Sequence, residues 1–238
     1  MSQQRLDKII ASQGKYSRSD VKKLARNGDI TVNGKSVSDC GMKVDPEKDS
    51  ITVCGESFGY SRFIYIMLNK PEGVVSASRS PGEKTVVDLV PEELYRDGLF
   101  PAGRLDKDTT GFVLITDDGA FAHDILSPKK HIEKTYIAQL DRPIGEAELD
   151  EFRSGITLGD GYECLPASIS VLSDDGLIVE IKLREGKYHQ IKRMAAACGS
   201  HVNKLHRVSM GGLELDGSLN PGECRLLDDT ELAKIKEV

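Results

Sequence analysis

The stretch from Gly103 to Gly119, GRLDKDTTGFVLITDDG, constrains this chain more than any other. It opens as a polar loop holding two acids, Asp106 and Asp108, closes at Gly111 and runs into four apolar residues, 112–115. An apolar run that short, bounded by turn residues, is the mark of a buried strand. Asp118-Gly119 then opens a helix expected to reach about Leu126. A charged loop clamped to a rigid strand is where a catalytic group is usefully displayed. The same letters also match the start of a calcium loop, with Asp106, Asp108, Thr110 and Gly111 at positions 1, 3, 5 and 6 and Asp117 at position 12. The second half of that pattern fails. Residues 112–115 are all apolar, position 12 is Asp rather than a bidentate Glu, and no helix precedes the loop. No metal is expected here.

Upstream, residues 5–13 place Leu6, Ile9 and Ile10 at i, i+3, i+4, the stripe of a helix, and Gly14 follows as a stop. Ser17 precedes Arg18-Ser19-Asp20, a capping-box-like start in which Asp20 stands where Glu is usual. Val21, Leu24 and Ala25 form the apolar stripe of this second helix, Lys22, Lys23 and Arg26 face away from it, and Asn27-Gly28 ends it. Residues 29–33 read as a strand, Asn33-Gly34 as a tight turn and 35–37 as the return. The Gly/Ser-rich stretch 55–61 reads as a linker, which sets two domains, 1–58 and 59–238. Beyond it, strands are expected over 63–68, 112–116, 134–140 and 177–183, and a helix over 187–198 ended by Gly199. The fold class is α+β: a small helical and hairpin N-terminal domain, then a larger domain with a mixed, mostly antiparallel sheet flanked by helices and loops.

Charge distribution bears on partners. The net charge is −6, which taken whole argues against a polyanion. Yet residues 1–35 hold eight Lys/Arg (Arg5, Lys8, Lys15, Arg18, Lys22, Lys23, Arg26, Lys35) against three acids, a local +5 that leaves −11 on the rest. A second basic island runs from Arg184 to Arg207, six Lys/Arg and three His against Glu185 alone. Each patch alone is an ordinary solvated face; two concentrated patches on an acidic chain suit a polyanion with a restricted footprint. The five cysteines are odd in number, widely spaced and without a C-x-x-C pair, against both a disulfide framework and a zinc site. They fit a reducing cytosol, and no signal peptide or membrane-length apolar run is visible.

The central segment resembles the signature of pseudouridine synthases, and its DTTG and DDG elements resemble the RsuA branch of that family. Four further stretches are similar in order: Leu68-Asn-Lys-Pro71 with Gly73, His131-Ile-Glu-Lys-Thr-Tyr136, the run EGKYHQIKRM from Glu185 to Met194, and Leu205-His-Arg207 with Gly211-Gly212. The N-terminal segment resembles the small RNA-binding module named after a primary-binding protein of the small ribosomal subunit. Together these resemblances span essentially the whole chain.

What the resemblance implies is an enzyme that detaches a uracil from its ribose, rotates it and rejoins it through carbon, without cofactor, metal or redox change. It implies that Asp106 is the catalytic carboxylate, either attacking the nucleoside or drawing a proton from the sugar. A carboxylate that must stay ionised in a dry pocket wants a cation beside it, and Lys192 is the candidate. Along the helix expected over 187–198, Ile191, Met194, Ala195 and Cys198 form the apolar stripe, while His189, Lys192 and Arg193 project from the other side. Tyr136 read by itself is one of a buried face with Ala138 and Leu140; the resemblance makes it the ring that stacks on the target base, with Ile191 packing from the helix side. A uridine within structured RNA must be flipped out to be reached. Arg104 is suited to contacting phosphates or filling the vacated stack, and equally to bracing its own loop. His189 and Arg193 are grouped with the substrate contacts, and Arg5, Lys8, Arg18, Lys22, Lys23 and Arg26 with general RNA affinity. The expected partner is 16S ribosomal RNA in a partly assembled small-subunit particle; large-subunit RNA, and a non-catalytic assembly factor on the same fold, are the alternatives.

Overall fold

The structure, a computed structural model, describes residues 3–127, 130 and 132–237. His131 of the HIEKTY stretch lies outside the described residues. The chain divides into two compact units, one of Met1–Ile64 with Val90–Leu99, the other of Tyr65–Leu89 with Phe100–Val238.

In the first unit, helix α1 spans Leu6–Ala11 and α2 Arg18–Asn27. α2 begins with a complete capping box, Ser17 and Asp20 each satisfying the other's backbone N–H, and ends on Gly28 at φ 83°. α1 lies within the span expected from its stripe, and beyond it Gly14, at φ 86°, leaves room for the Tyr95 carbonyl and none for a Cβ. Strands β1 (Ile30–Val32), β2 (Lys35–Ser36), β3 (Ile51–Val53) and β4 (Glu56–Ser57) form an antiparallel sheet in the order β2-β1-β3-β4. Asn33 and Gly34 both take positive φ between β1 and β2, as a two-residue hairpin requires. Residues 55–61, read as a linker, prove to contain β4: Cys54 and Gly55 make a second turn with both φ positive, and Phe58 and Tyr60 pack on the unit's core. That core joins Leu6, Ile9, Ile10, Val21 and Ala25 of the helices to Ile30, Val32, Ile51 and Val53 of the sheet. The unit also takes in Val90–Leu99, which the sequence reading gave to the second domain.

The second unit is built on strands β5 (Tyr65–Lys70), β6 (Thr110–Thr116), β7 (Lys134–Leu140), β8 (Ser168–Val171), β9 (Ile178–Leu183), β10 (Val202–Met210) and β11 (Cys224–Leu226). They run in the order β8-β9-β7-β10-β6-β5-β11, with the short segments Phe100–Pro101 on β6 and Leu213–Glu214 on β10. The pairings are antiparallel except that of β6 with β10, where His206 lies opposite Thr110 and Arg207 opposite Gly111. The sheet is therefore mixed and mostly antiparallel, and the unit is α+β. Helices α3 (Gly119–Leu126), α4 (Glu146–Ser154), α5 (Gln190–Ala197) and α6 (Asp229–Ile235) complete it. Asp118 caps α3, accepting from the N–H groups of Ala120 and Phe121 at 3.0 Å. The helix expected over 187–198 is shorter: its first three residues form a turn, and His189 caps α5 at φ 49° instead of belonging to it. Thr110 to Thr116 form a strand, so the would-be calcium loop gives way to sheet from its fifth position.

Candidate active site

The loop that carries Asp106 is held from beneath. Lys70, the last residue of β5, is completely buried, and its ammonium donates to the carbonyls of Thr109 at 2.7 Å, Pro71 at 3.1 Å and Lys107 at 3.2 Å. Two of those carbonyls belong to the acidic loop, so one buried cation ties both flanks of Asp108. Burial pushes the Lys70 ammonium down to about 8, while Asp108, Asp106 and Glu72 pull the other way. Ser76 pins the other side, donating to the Leu105 carbonyl at 2.9 Å and accepting from its N–H at 3.1 Å. Gly111 closes the loop at φ 99°. A Cβ there would lie 2.3 Å from the Arg207 carbonyl oxygen, so only glycine lets β6 run this close to β10. Arg207 is buried and its Nε donates to the Phe112 carbonyl at 2.7 Å. Thr110 and His206 meet side by side, Oγ1 to Nδ1 at 2.8 Å.

Opposite the loop stands the run from Glu185 to α5. Glu185 accepts from the Tyr162 hydroxyl at 2.8 Å, the Leu165 N–H at 2.9 Å and the Gln190 amide. Gln190 in turn accepts from the Lys187 N–H at 2.9 Å. These bonds shape the turn that puts His189 in its left-handed conformation and starts α5. The buried side of α5 carries Ile191, Met194 and Ala195, as its spacing predicts. Lys192 comes off the other side and reaches the loop, with its Nζ 2.6 Å from Asp108 and 3.3 Å from Asp106. Burial alone would lower this ammonium; the hydrogen bond to Asp108 and the charge of Asp106 outweigh it, and its pKa is raised. The same bond holds the Asp108 carboxyl below its usual range. His189 Nε2 lies 3.5 Å from Asp106.

Loop and turn border an open pocket with about 440 Å³ of space, open solvent included. Arg104, Asp106, Tyr136, His189, Ile191 and Lys192 all line it. Six residues grouped as site candidates from three separate motifs thus converge. Arg193 does not join them: it turns to Asp160, 2.6 Å away, and is absent from the pocket wall. Tyr136 reaches the pocket from the buried face of β7, cross-strand from Arg207 and Ile181. On the same strand Lys134 is buried too, its ammonium pushed down to about 8 by burial and by the nearby Arg207 charge. Sequence reasoning missed Asp108 as the nearer partner of Lys192, and Lys70, Ser76, Glu185 and Gln190 as braces. All of these but Ser76 sat in quoted motifs, but what a polar side chain bonds is decided by tertiary approach. In the first unit Arg5, Lys8, Arg18, Lys22, Lys23 and Arg26 are all exposed, and Arg5 is bonded to Asp7 through two hydrogen bonds of 3.0 and 2.7 Å.

The pocket joins a charged loop, a facing helix and one aromatic ring of a mixed sheet, and sequence comparison names the class of protein. The chain belongs to the RNA pseudouridylate synthases: the profile of that family matches residues 64–197, and that of the S4 domain residues 4–50. It is 44% identical, over 98% of both chains, to a Bacillus subtilis protein called uncharacterized RNA pseudouridine synthase YtzG. It is 40% identical to ribosomal small subunit pseudouridine synthase A of Escherichia coli, covering 97% of this chain and 99% of that one. A solved structure described as a pseudouridylate synthase superposes with a TM-score of 0.67 at 39% identity, over 98% of this chain and 99% of the other.

Proposed function

We propose that the chain converts one uridine of small-subunit (16S) ribosomal RNA to pseudouridine, in the cytoplasm and within a partly assembled particle, with Asp106 as the catalytic carboxylate. The observation that carries this reading is the meeting of Asp106, Lys192 and Tyr136, from three distant segments, in one pocket. The 40% identity to a small-subunit enzyme over nearly the full length supports the choice of RNA.

In this reading the target nucleotide leaves the helix and its uracil lies on the Tyr136 ring, with Ile191 against it from α5. Asp106 either attacks the nucleoside or takes a sugar proton; the N1–C1′ bond breaks, the base rotates, a C5–C1′ bond forms, and the proton on C5 is given up as N1 regains one. Lys192 sets its positive charge 3.3 Å from the Asp106 carboxylate, in a pocket that excludes part of the solvent. Arg104, exposed at the lip, meets a phosphate or fills the space the base leaves. Arg193 becomes available to RNA only by exchanging Asp160 for a phosphate.

The test maps pseudouridine by chemical adducts and primer-extension stops on unmodified small- and large-subunit rRNA, free and partly assembled. Wild type runs beside Asp106→Asn, which keeps shape and removes charge. The expected result is one new stop in the small-subunit RNA, reduced at least about 1,000-fold in the variant, equivalent to about 4 kcal/mol of barrier. A stop in large-subunit RNA would move the substrate and keep the chemistry. No stop, with salt-sensitive RNA binding intact, would turn the reading to a non-catalytic assembly factor.

A further inference from the structure

Tyr188 is the most exposed of the large apolar and aromatic side chains among the described residues, at 77%. A ring that open beside an enzyme pocket asks for an occupant. It is not a loose side chain. Its ring lies flat on His189, centroids 3.8 Å apart and planes within 17°. His189 itself adopts φ 49°, a conformation that non-glycine residues seldom hold without support. The support is the set of bonds from Glu185 and Gln190 described above. His189 lines the pocket and its Nε2 approaches Asp106. Tyr188 and His189 therefore form a two-ring column, one end at the catalytic loop and the other open to solvent. Two cationic residues line the same pocket as His189: Lys187, its ammonium over the Tyr162 ring at 4.7 Å, and the exposed Arg104.

An unpaired nucleobase fits that open end. It is planar and its faces are apolar, the phosphates of the strand that carries it suit the cations of the pocket, and stacking of this kind tolerates any base. We propose that Tyr188 is the platform for a nucleotide flanking the target uridine, so that the neighbour unstacked by flipping restacks on the enzyme. This rests on the reading that a flipped uridine enters the pocket. It gives the EGKYHQ turn a purpose of its own: binding the opened strand, in addition to presenting His189.

The chain contains no tryptophan, so Tyr188→Trp installs a single indole at this point. In an Asp106→Asn background, titration with whichever unmodified rRNA the wild type converts is expected to quench the indole emission, saturating together with filter-binding of the RNA. In the otherwise wild-type chain, Tyr188→Ala is expected to raise KM roughly 5- to 100-fold. Its single-turnover rate at saturating RNA should stay within about twofold, and Tyr188→Phe should keep the wild-type KM. Bound RNA with unchanged emission would overturn the platform. So would an alanine variant with wild-type KM, or one whose rate falls while KM holds, since that pattern assigns Tyr188 to positioning His189. If wild type neither binds nor modifies rRNA, the proposed function fails and takes the platform with it; if modification proceeds and the indole stays bright, only the platform fails.

Discussion

Lys192 divides its ammonium between two carboxylates, and the nearer one is not the proposed catalytic group but Asp108. Asp108 is the more exposed of the two acids, with 63% of its side chain open against 27% for Asp106. An exposed acid that takes the stronger bond acts as an anchor: it keeps the cation charged and beside its less exposed partner. The pair has a defined pH window. Asp108's pKa is depressed, so its contribution is present above the ordinary aspartate value and lost as pH falls through the depressed one. That of Lys192 is raised, so its contribution is present below the ordinary lysine value and lost as pH rises through the raised one. In Asp108→Asn the burial that lowers Lys192 remains while the largest opposing cause is gone. Its titration, followed by NMR of ¹³C-methylated lysines, should move to lower pH than in wild type. Turnover should fall only about two- to fivefold, as suits a partly exposed pair. An unmoved Lys192 titration would mean that Asp106 alone holds the cation. The sequence could place Asp106, Tyr136 and Lys192 together because each sits in a motif that resembles the family's. It could not rank Asp108 above Asp106 as a partner, because that depends on tenths of an ångström between a loop and a helix far apart in the chain. Arg193 shows the same limit: its helical position beside Lys192 suggested the site, and a tertiary neighbour, Asp160, claimed it.

Strands β6 and β10 join two motifs, DTTG and LHR, through their parallel pairing at Thr110–His206 and Gly111–Arg207. Gly111 is the residue that makes this approach possible, because backbone atoms of Arg207 occupy the space of its missing side chain. A methyl group would meet a carbonyl in a sheet that cannot yield without breaking the ladder, on top of a φ of 99° that alanine seldom adopts. Gly111→Ala should cost more than about 3 kcal/mol of stability, read as a lowered urea midpoint of the second unit; a midpoint within error of wild type would refute the steric account. The elements legible beforehand share a clear local signal: the Ser17 box and Gly28 on α2, Asp118 on α3, the alternation of β7. Those overlooked lacked one or had only part of it. α4 starts after Gly145 with no side-chain cap. α6 has a complete box of Asp228 and Glu231, but its seven residues carry an apolar stripe too short to stand out. β4 hid behind Cys54, a turn residue that takes positive φ without announcing it as Asn or Gly would.

At the scale of the whole molecule, a chain of net charge −6 must bind a polyanion against its own long-range field. Screening makes this workable: beyond roughly 8 Å at physiological salt the acidic remainder is damped, and the local patches govern contact. The first unit offers Lys8, Arg18, Lys22, Lys23 and Arg26 exposed. Arg5 is exposed too, but Asp7 offsets its charge through two hydrogen bonds. Replacing Lys22, Lys23 and Arg26 together by Gln tests how much affinity this unit supplies. The side chains lie on the exposed side of α2, the Ser17–Asp20 box is untouched, and the Lys23–Asp20 contact at 3.8 Å is too open to matter to the fold. If each cation neutralises one phosphate, the slope of log affinity against log salt should become shallower by about 2 to 3. Affinity for any RNA should fall together, because phosphate contacts carry no sequence, while the single-turnover rate at saturating RNA stays at the wild-type value. An unchanged slope would leave the phosphate contacts to the Arg184–Arg207 island. A loss confined to the true substrate would instead make this unit a reader of RNA shape, and would put target choice in the smaller of the two units.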